Sequence, residues 1–160
     1  MRISIYAVGR LKTGPERDLL ERYLDRARKT GKPLALTDFD CREIPESRAQ
    51  TSEQRKADEA NQLIGMLPDG ARLVVLDETG KQENSQAFAT RLSDWRDDGC
   101  SSVVFAIGGA DGHGRELRKR AHATLAFGQL TWPHQLVRML LAEQLYRATT
   151  ILSGHPYHRQ

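Results

Sequence analysis

The last residues of the chain are rich in side chains that can take part in chemistry. The sequence ends in SGHPYHRQ, which contains His155, Tyr157, His158 and Arg159. Chain ends are usually poorly ordered and carry little function, but an imidazole can accept a proton near neutral pH. A phenol or a guanidinium can orient a ring or balance a charge. The tail is a candidate for such work, and the competing interpretation is a basic tail that only contacts phosphate.

A second candidate is the glycine-rich stretch IGGADGHG, which contains Gly108, Gly109, Gly112 and Gly114. Glycines at this density indicate positive φ angles or a close approach of the backbone to another group. The spacing is not that of a dinucleotide-binding or phosphate-binding loop. From these residues alone, a ligand-binding loop and an ordinary strand-to-helix turn are both open.

A third candidate is the stretch GQLTWPH, in which Trp132 stands directly before Pro133. The proline forces an extended backbone at the residue before it, so this segment can offer backbone groups and an apolar wall to a flat ligand. The alternative is a simple helix-entry loop, with Thr131 as the cap and Trp132 in the core.

The elements that must position these stretches alternate along the chain between period-two and helical patterns. Strands are predicted at residues 2–9, 33–44, 72–77 and 101–109, and residues 124–130 are predicted to form a final strand with its following loop. Helices are predicted at residues 15–31, 51–66, 84–99, 114–123 and 133–152. Such alternation is typical of an α/β fold with a mostly parallel sheet of five to six strands, flanked by helices. Ligands bind such sheets at the carboxyl ends of the strands, where LDETGK and the two loops above all lie.

Length and composition restrict the number of domains and the class of protein. A chain of 160 residues with 39% hydrophobic and 28% charged residues predicts one folded domain, residues 1–160. No secretory or membrane-spanning pattern is visible, so we expect a cytoplasmic protein with no membrane partner. No histidines or cysteines have metal-ligand spacing, so no metal site is expected. The net charge of +3 allows nucleic acid as a partner without requiring it.

Four of these stretches together carry a resemblance to a known family. LDETGK, IGGADG, LTWPHQLVRMLLAEQLYRA and HPYHR occur in this order across the whole chain, and the sequence resembles the RlmH family of SPOUT-class enzymes. These enzymes methylate N3 of a pseudouridine in 23S ribosomal RNA of the large ribosomal subunit. Two residues depart from the family pattern, because Gln135 stands where a proline is common and Trp132 where an aliphatic residue is usual.

The resemblance implies a trefoil knot in the C-terminal part of the fold and S-adenosyl-L-methionine as the cofactor. Neither follows from periodicity, since knots are very rare. The cofactor contacts implied by the family lie in the three loops named above. They are Leu76, Gly108, Gly109, Phe127, Gly128, Gln129, Leu130, Thr131 and Trp132.

The resemblance also implies that the tail belongs to the active site. Methyl transfer needs donor and acceptor held at attack distance, and the imide proton of N3 must be accepted. His155 and His158 are the candidate bases, and Tyr157 and Arg159 would orient the ring; which residue takes the proton is left open. The enzyme is implied to be a homodimer, in which the tail completes the cofactor pocket with help from the partner subunit.

The last predicted helix supports a dimer on its own, because it is apolar over more than one stripe. The residues are Leu136, Met139, Leu140, Leu145, Tyr146 and Ala148. Burial within one subunit would explain them equally well. Two other functions stay open at this point: a ribosome-binding or RNA-binding protein without catalysis, and a nucleotide-dependent oxidoreductase that uses Asp77 or Glu78 for ribose.

Overall fold

The computed structural model describes residues 1–157 and contains one parallel sheet with helices on both faces. The strands are β1 Arg2–Val8, β2 Thr37–Ile44, β3 Arg72–Gln82, β4 Ser102–Ile107 and β5 Ala123–Ala126. The helices are α1 Pro15–Gly31, α2 Ser52–Gly65, α3 Ser85–Asp97, α4 Arg115–Arg120 and α5 His134–Leu152. The strand order is β2-β1-β4-β3-β5, and every pair is parallel. The predicted α/β fold is confirmed.

Two hydrophobic cores lie on the two faces of the sheet. Helices α1, α3 and α5 pack together over one face, and the larger core there contains the fully buried Ile5, Leu92 and Leu145. Helices α2 and α4 contact each other, and Leu63 and Leu117 belong to the smaller core. Strand β4 is buried at all six positions. This explains its continuous apolar run, since a central parallel strand is covered on both faces.

Most helix boundaries follow the predicted caps. Helix α1 begins at Pro15, and the Thr51 hydroxyl accepts the Gln54 N–H at 3.2 Å to cap α2. Burial along α2 does not simply follow residue type, because Ala57 is exposed and Glu59 is buried.

Three other boundaries differ from the prediction. Strand β2 begins at Thr37, because residues 32–34 form a single 3₁₀ turn and Ala35 has a φ of 56°. Helix α4 ends at Arg120, so His122 lies outside it and its Nδ1 accepts the N–H of Leu73 at 3.1 Å. Strand β3 runs to Gln82 instead of ending at residue 77.

The extra length of β3 comes from a bulge. Leu125 of β5 pairs with both Leu76 and Lys81 of β3, so residues 77–80 leave the ladder between these two pairings. The stretch LDETGK, which was expected to form a loop after β3, therefore lies inside a longer strand and contains its bulge. It brings three polar side chains, Asp77, Glu78 and Thr79, to the cavity described below.

The bulge depends on Gly80. A Cβ at this position would lie 2.6 Å from the carbonyl carbon of Leu125 and 2.8 Å from its nitrogen. Because backbone atoms cannot move aside cheaply, Gly80→Ala should lower the free energy of unfolding by about 2 kcal/mol. Urea unfolding followed by circular dichroism measures this.

Gly65→Ala is the matched control. Gly65 ends α2, and a Cβ there would meet nothing within 4 Å. It should leave stability unchanged or raise it by about 0.5 kcal/mol. Equal stability changes in the two variants would contradict the close approach at Gly80.

Candidate active site

A cavity of about 830 Å³ opens beside the bulge of β3 and at the carboxyl ends of β4 and β5. Three segments supply most of its wall: the bulge at residues 76–79, the loop at residues 107–113 and the chain from residue 125 to residue 134, without residue 129. Cavities of this size hold ligands as large as nucleosides and cofactors. The location is the one expected for a ligand site in an open α/β sheet.

The structure brings together eight of the nine residues predicted to contact the cofactor, all of which lie in the described part of the chain. Those that line the cavity are Leu76, Gly108, Gly109, Phe127, Gly128, Leu130, Thr131 and Trp132. Gln129 belongs to the same segment but does not line it. Of the two departures from the family pattern, Trp132 changes the cavity wall, whereas Gln135 is exposed and lies outside it.

The loop after β4 is held in a tight fold by its glycines. The N–H of Gly112 donates to the carbonyl of Gly109 at 3.0 Å. A Cβ on Gly108 would lie 2.9 Å from the carbonyl carbon of Gly112. The loop therefore closes this tightly only because residue 108 has no side chain, and its backbone faces the cavity.

An ion pair fixes the same loop from outside. The Arg55 guanidinium of α2 donates to both oxygens of Asp111, from Nε at 2.7 Å and from Nη2 at 3.0 Å. It also donates to the carbonyl of Ala49 at 3.1 Å. Arg55 lowers the pKa of Asp111, mainly through the hydrogen bond between the two side chains. Sequence reasoning missed this contact, because 56 positions separate the two residues.

His113 fixes the loop from inside. The imidazole is 6% exposed, and its Nε2 donates to the carbonyl oxygen of Leu76 at 2.9 Å. Burial lowers the pKa of His113, so the neutral ring acts as the donor. His113 therefore joins the glycine loop to Leu76 of β3, directly before the bulge.

Three carboxylates line the cavity: Asp77, Glu78 and Asp111. Burial raises the pKa of Asp77, but hydrogen bonds from Thr79 and the charge of Arg118 outweigh burial and hold it below its usual value. Glu78 accepts the Thr131 hydroxyl at 2.9 Å, which joins the bulge to the segment before α5. The cavity therefore combines apolar walls with three carboxylates, of which Asp77 pairs with Arg118 in the same wall and Asp111 pairs with Arg55. The apolar walls favour a flat ring, and the Glu78 carboxylate favours a positive charge on the ligand.

The described part of the tail lies away from the cavity of its own subunit. His155 and Tyr157 do not line it, whereas His158 and Arg159 lie outside the described residues. Tyr157 donates from its hydroxyl to Glu143 Oε1 at 3.2 Å, and its ring centroid is 4.7 Å from that of Tyr146. His134 lines the cavity, and Glu143, which Tyr157 contacts, lies nine residues further along α5. The two residues are therefore about 13 Å apart along the helix axis. Burial raises the pKa of Tyr157 to about 12, so its phenol stays protonated.

Two further searches covered the part of the chain that the structure describes. Within residues 1–157, no cluster of three or more histidine, cysteine or acidic side chains is arranged to hold a metal ion. None of the helices in that range has the length and apolar character needed to cross a membrane.

Comparison with known proteins identifies the family. A family model described as "Predicted SPOUT methyltransferase" matches residues 1–158. The chain belongs to the SPOUT methyltransferase family. The resemblance stated from the motifs is thereby confirmed, and the cavity at the strand ends is the candidate active site of a SPOUT methyltransferase.

Individual relatives of this SPOUT methyltransferase are similar over nearly their full length. A protein of Brucella anthropi named "Ribosomal RNA large subunit methyltransferase H" is 58% identical over 159 residues, which are 99% of each chain. Proteins with the same name from Rhizobium leguminosarum bv. trifolii and Nitrobacter hamburgensis are 56% and 54% identical, again over 99% of each chain.

Proposed function

We propose that this protein transfers a methyl group from S-adenosyl-L-methionine to N3 of a pseudouridine in 23S ribosomal RNA, acting on the large subunit or the assembled ribosome. The observation that carries the proposal is the cavity at the strand ends, lined by residues that the family resemblance had named as cofactor contacts. The relatives named as ribosomal RNA large subunit methyltransferases support this choice of substrate. Residues 1–160 would act as one cytoplasmic domain.

The cavity suits S-adenosyl-L-methionine in shape and charge. The glycine loop presents bare backbone to the cavity at Gly108, Gly109 and Gly112, so a ligand can approach this backbone closely. Leu76, Phe127 and Trp132 give an apolar wall for the adenine. The carboxylate of Glu78, which accepts a hydrogen bond from the neutral Thr131 hydroxyl, would attract a positive charge of the cofactor. When bound, the cofactor supplies an activated methyl group on a sulfonium, so these residues need only bind and orient it.

We propose that the acceptor side of the site comes from the tail of a second copy. His155 and Tyr157 are outside the cavity of their own subunit, so a second subunit must supply the tail if it presents the pseudouridine. The phenol of Tyr157 stays protonated, so this side chain suits the role of orienting the ring of the pseudouridine. Arg159 is expected to have the same role. His155 and His158 are the tail residues that can accept a proton.

The surface around α5 suits the homodimer that this arrangement requires. Four large apolar side chains are exposed there: Leu130 at 72%, Trp132 at 41%, Leu136 at 39% and Leu140 at 37%. Leu136 and Leu140 lie on one face of α5, four residues apart. Trp132 and Leu140 also line a second cavity of about 550 Å³ that shares residues 125–128 with the first. An apolar patch of this kind is typical of a subunit interface. The trefoil knot stays a prediction from the family.

Purified protein and labelled S-adenosyl-L-methionine test the proposal directly. The substrates are free 23S RNA, large subunits and assembled ribosomes from cells that lack the protein. We expect one methyl group per particle on subunits or ribosomes, at N3 of a pseudouridine, detected by mass spectrometry of the nucleosides. Binding to ribosomes with no methyl transfer would instead support a non-catalytic binding protein.

A further inference from the structure

His134 lines the candidate active site but was not among the residues predicted from the sequence. It is the first residue of α5, directly after Pro133. Its side chain is 26% exposed, so it is neither a core residue nor a freely solvated one. An imidazole in the wall of a methyltransferase cavity is a candidate for proton transfer.

Three polar groups, one of them this imidazole, converge above Gly9. Gly9 follows β1 and has a φ of +82°. A Cβ at Gly9 would lie 2.9 Å from Glu46 Oε1, 3.5 Å from His134 Nε2 and 3.5 Å from Arg138 Nη2. The Glu46 carboxylate is 3.9 Å from His134 Nε2. The convergence therefore depends on a residue without a side chain at the end of a central strand.

The charges around His134 favour the neutral ring. Burial lowers its pKa, the Arg138 guanidinium lowers it further, and Glu46 opposes both. Arg138 is fully buried and is held by Glu43 Oε1 at 2.8 Å and the Val8 carbonyl at 2.5 Å. Arg138 therefore stays close to the imidazole. A neutral imidazole is the form that can accept a proton.

We propose that His134 of the subunit that binds the cofactor, rather than a histidine of the tail, accepts the imide proton of the pseudouridine, and that Glu46 stabilises the imidazolium. This inference rests on the proposed function. The N3–H bond breaks and its proton goes to His134, while the electron pair of N3 forms the bond to the methyl carbon. The electron pair of the breaking carbon–sulfur bond stays on sulfur. The tail residues then orient the ring.

The charge balance of the reaction suits this arrangement. One positive charge is lost at sulfur and one appears on the imidazole, so the net charge of the cavity does not change. The Glu46 side chain is 55% exposed, so it contacts both the imidazolium and solvent. It offers a path by which the proton can leave after each turnover.

The first test measures the His134 pKa without any cofactor. Ring resonances of isotopically labelled histidine, followed by NMR over pH, should show a His134 pKa below the ordinary value of about 6.5. Glu46→Gln removes a carboxylate that stabilises the cation, so it should lower that pKa further. Glu53→Gln, at an exposed residue of α2, is the matched control and should leave it unchanged. A His134 pKa unaffected by Glu46→Gln would overturn the proposal.

The second test separates proton transfer from binding. His134→Gln should lower kcat about 100-fold or more while calorimetry shows unchanged affinity for S-adenosyl-L-methionine. It should also remove the rise of kcat with pH that His134 deprotonation causes in the wild type. A wild-type kcat in His134→Gln, or loss of that rise in His155→Ala or His158→Ala instead, would overturn the assignment. If the wild type itself transfers no methyl group to ribosomes, the proposed function fails.

Discussion

Mixing two inactive variants should restore about one quarter of the wild-type methylation rate. The first variant, Gly108→Val, disrupts the cavity, because a side chain at residue 108 meets the backbone of Gly112. The second lacks the final six residues, 155–160. If each site combines the cavity of one subunit with the tail of the other, random re-association makes half of the dimers mixed. One of the two sites in each mixed dimer is then intact, which gives about one quarter of all sites.

Each variant alone should be nearly inactive for a different reason. The truncated protein should still bind S-adenosyl-L-methionine in calorimetry, because eight of the nine residues predicted to contact the cofactor line the cavity within one subunit. Gly108→Val should lose that affinity. Truncation should also reduce turnover more than His155→Ala, His158→Ala or Arg159→Ala. Failure of the mixture to regain activity, with subunit exchange verified by native mass spectrometry, would show that the tail does not act on the partner subunit.

Arg138→Met should cause the largest loss of stability of any substitution considered, about 3 kcal/mol. The Arg138 side chain is fully buried and donates to Glu43 and to the Val8 carbonyl. Methionine fills a similar volume but removes the guanidinium donor from that carbonyl and one partner from Glu43. The loss is at the low end for a broken buried pair, because Glu43 keeps Arg17 at 3.0 Å and the Leu11 N–H at 3.0 Å. Chemical denaturation measures it.

Arg147→Met in the same helix is the control. Arg147 pairs with Glu143 at 2.5 Å, one helical turn away, and its side chain is 27% exposed. Ion pairs that reach solvent contribute little, so we expect a loss below about 1 kcal/mol. Similar losses in the two variants would mean that the buried network around Glu43 contributes no more than an exposed pair.

The pattern along the chain predicted the elements well where the signal is local. Helix α1 starts at Pro15, and the continuous apolar run of β4 correctly indicated a strand covered on both faces. Local signals failed where distant chain segments decide. The bulge at residues 77–80 exists because β5 pairs with β3 on both sides of it, and Glu59 is buried where its Oε1 accepts the N–H of Ser47 at 2.9 Å.

For the candidate site too, local patterns predicted some features and missed those that depend on distant residues. Glycine density and the Trp132–Pro133 step pointed to two loops, and the combination of motifs pointed to the family. None of these patterns indicated that Arg55 holds Asp111, or that His113 joins the glycine loop to Leu76. Such pairs are far apart in the sequence and have no periodicity that connects them.

The sequence by itself determined the parallel α/β architecture, the three loops at the strand ends and the family, because periodicity, caps and motifs are properties of neighbouring residues. Only the tertiary structure decided that eight of the predicted contacts share one cavity and that His134 and Glu46 meet above Gly9. It also placed His155 and Tyr157 away from the cavity of their own subunit. Long-range strand pairing and helix packing set these distances, and no local pattern contains them.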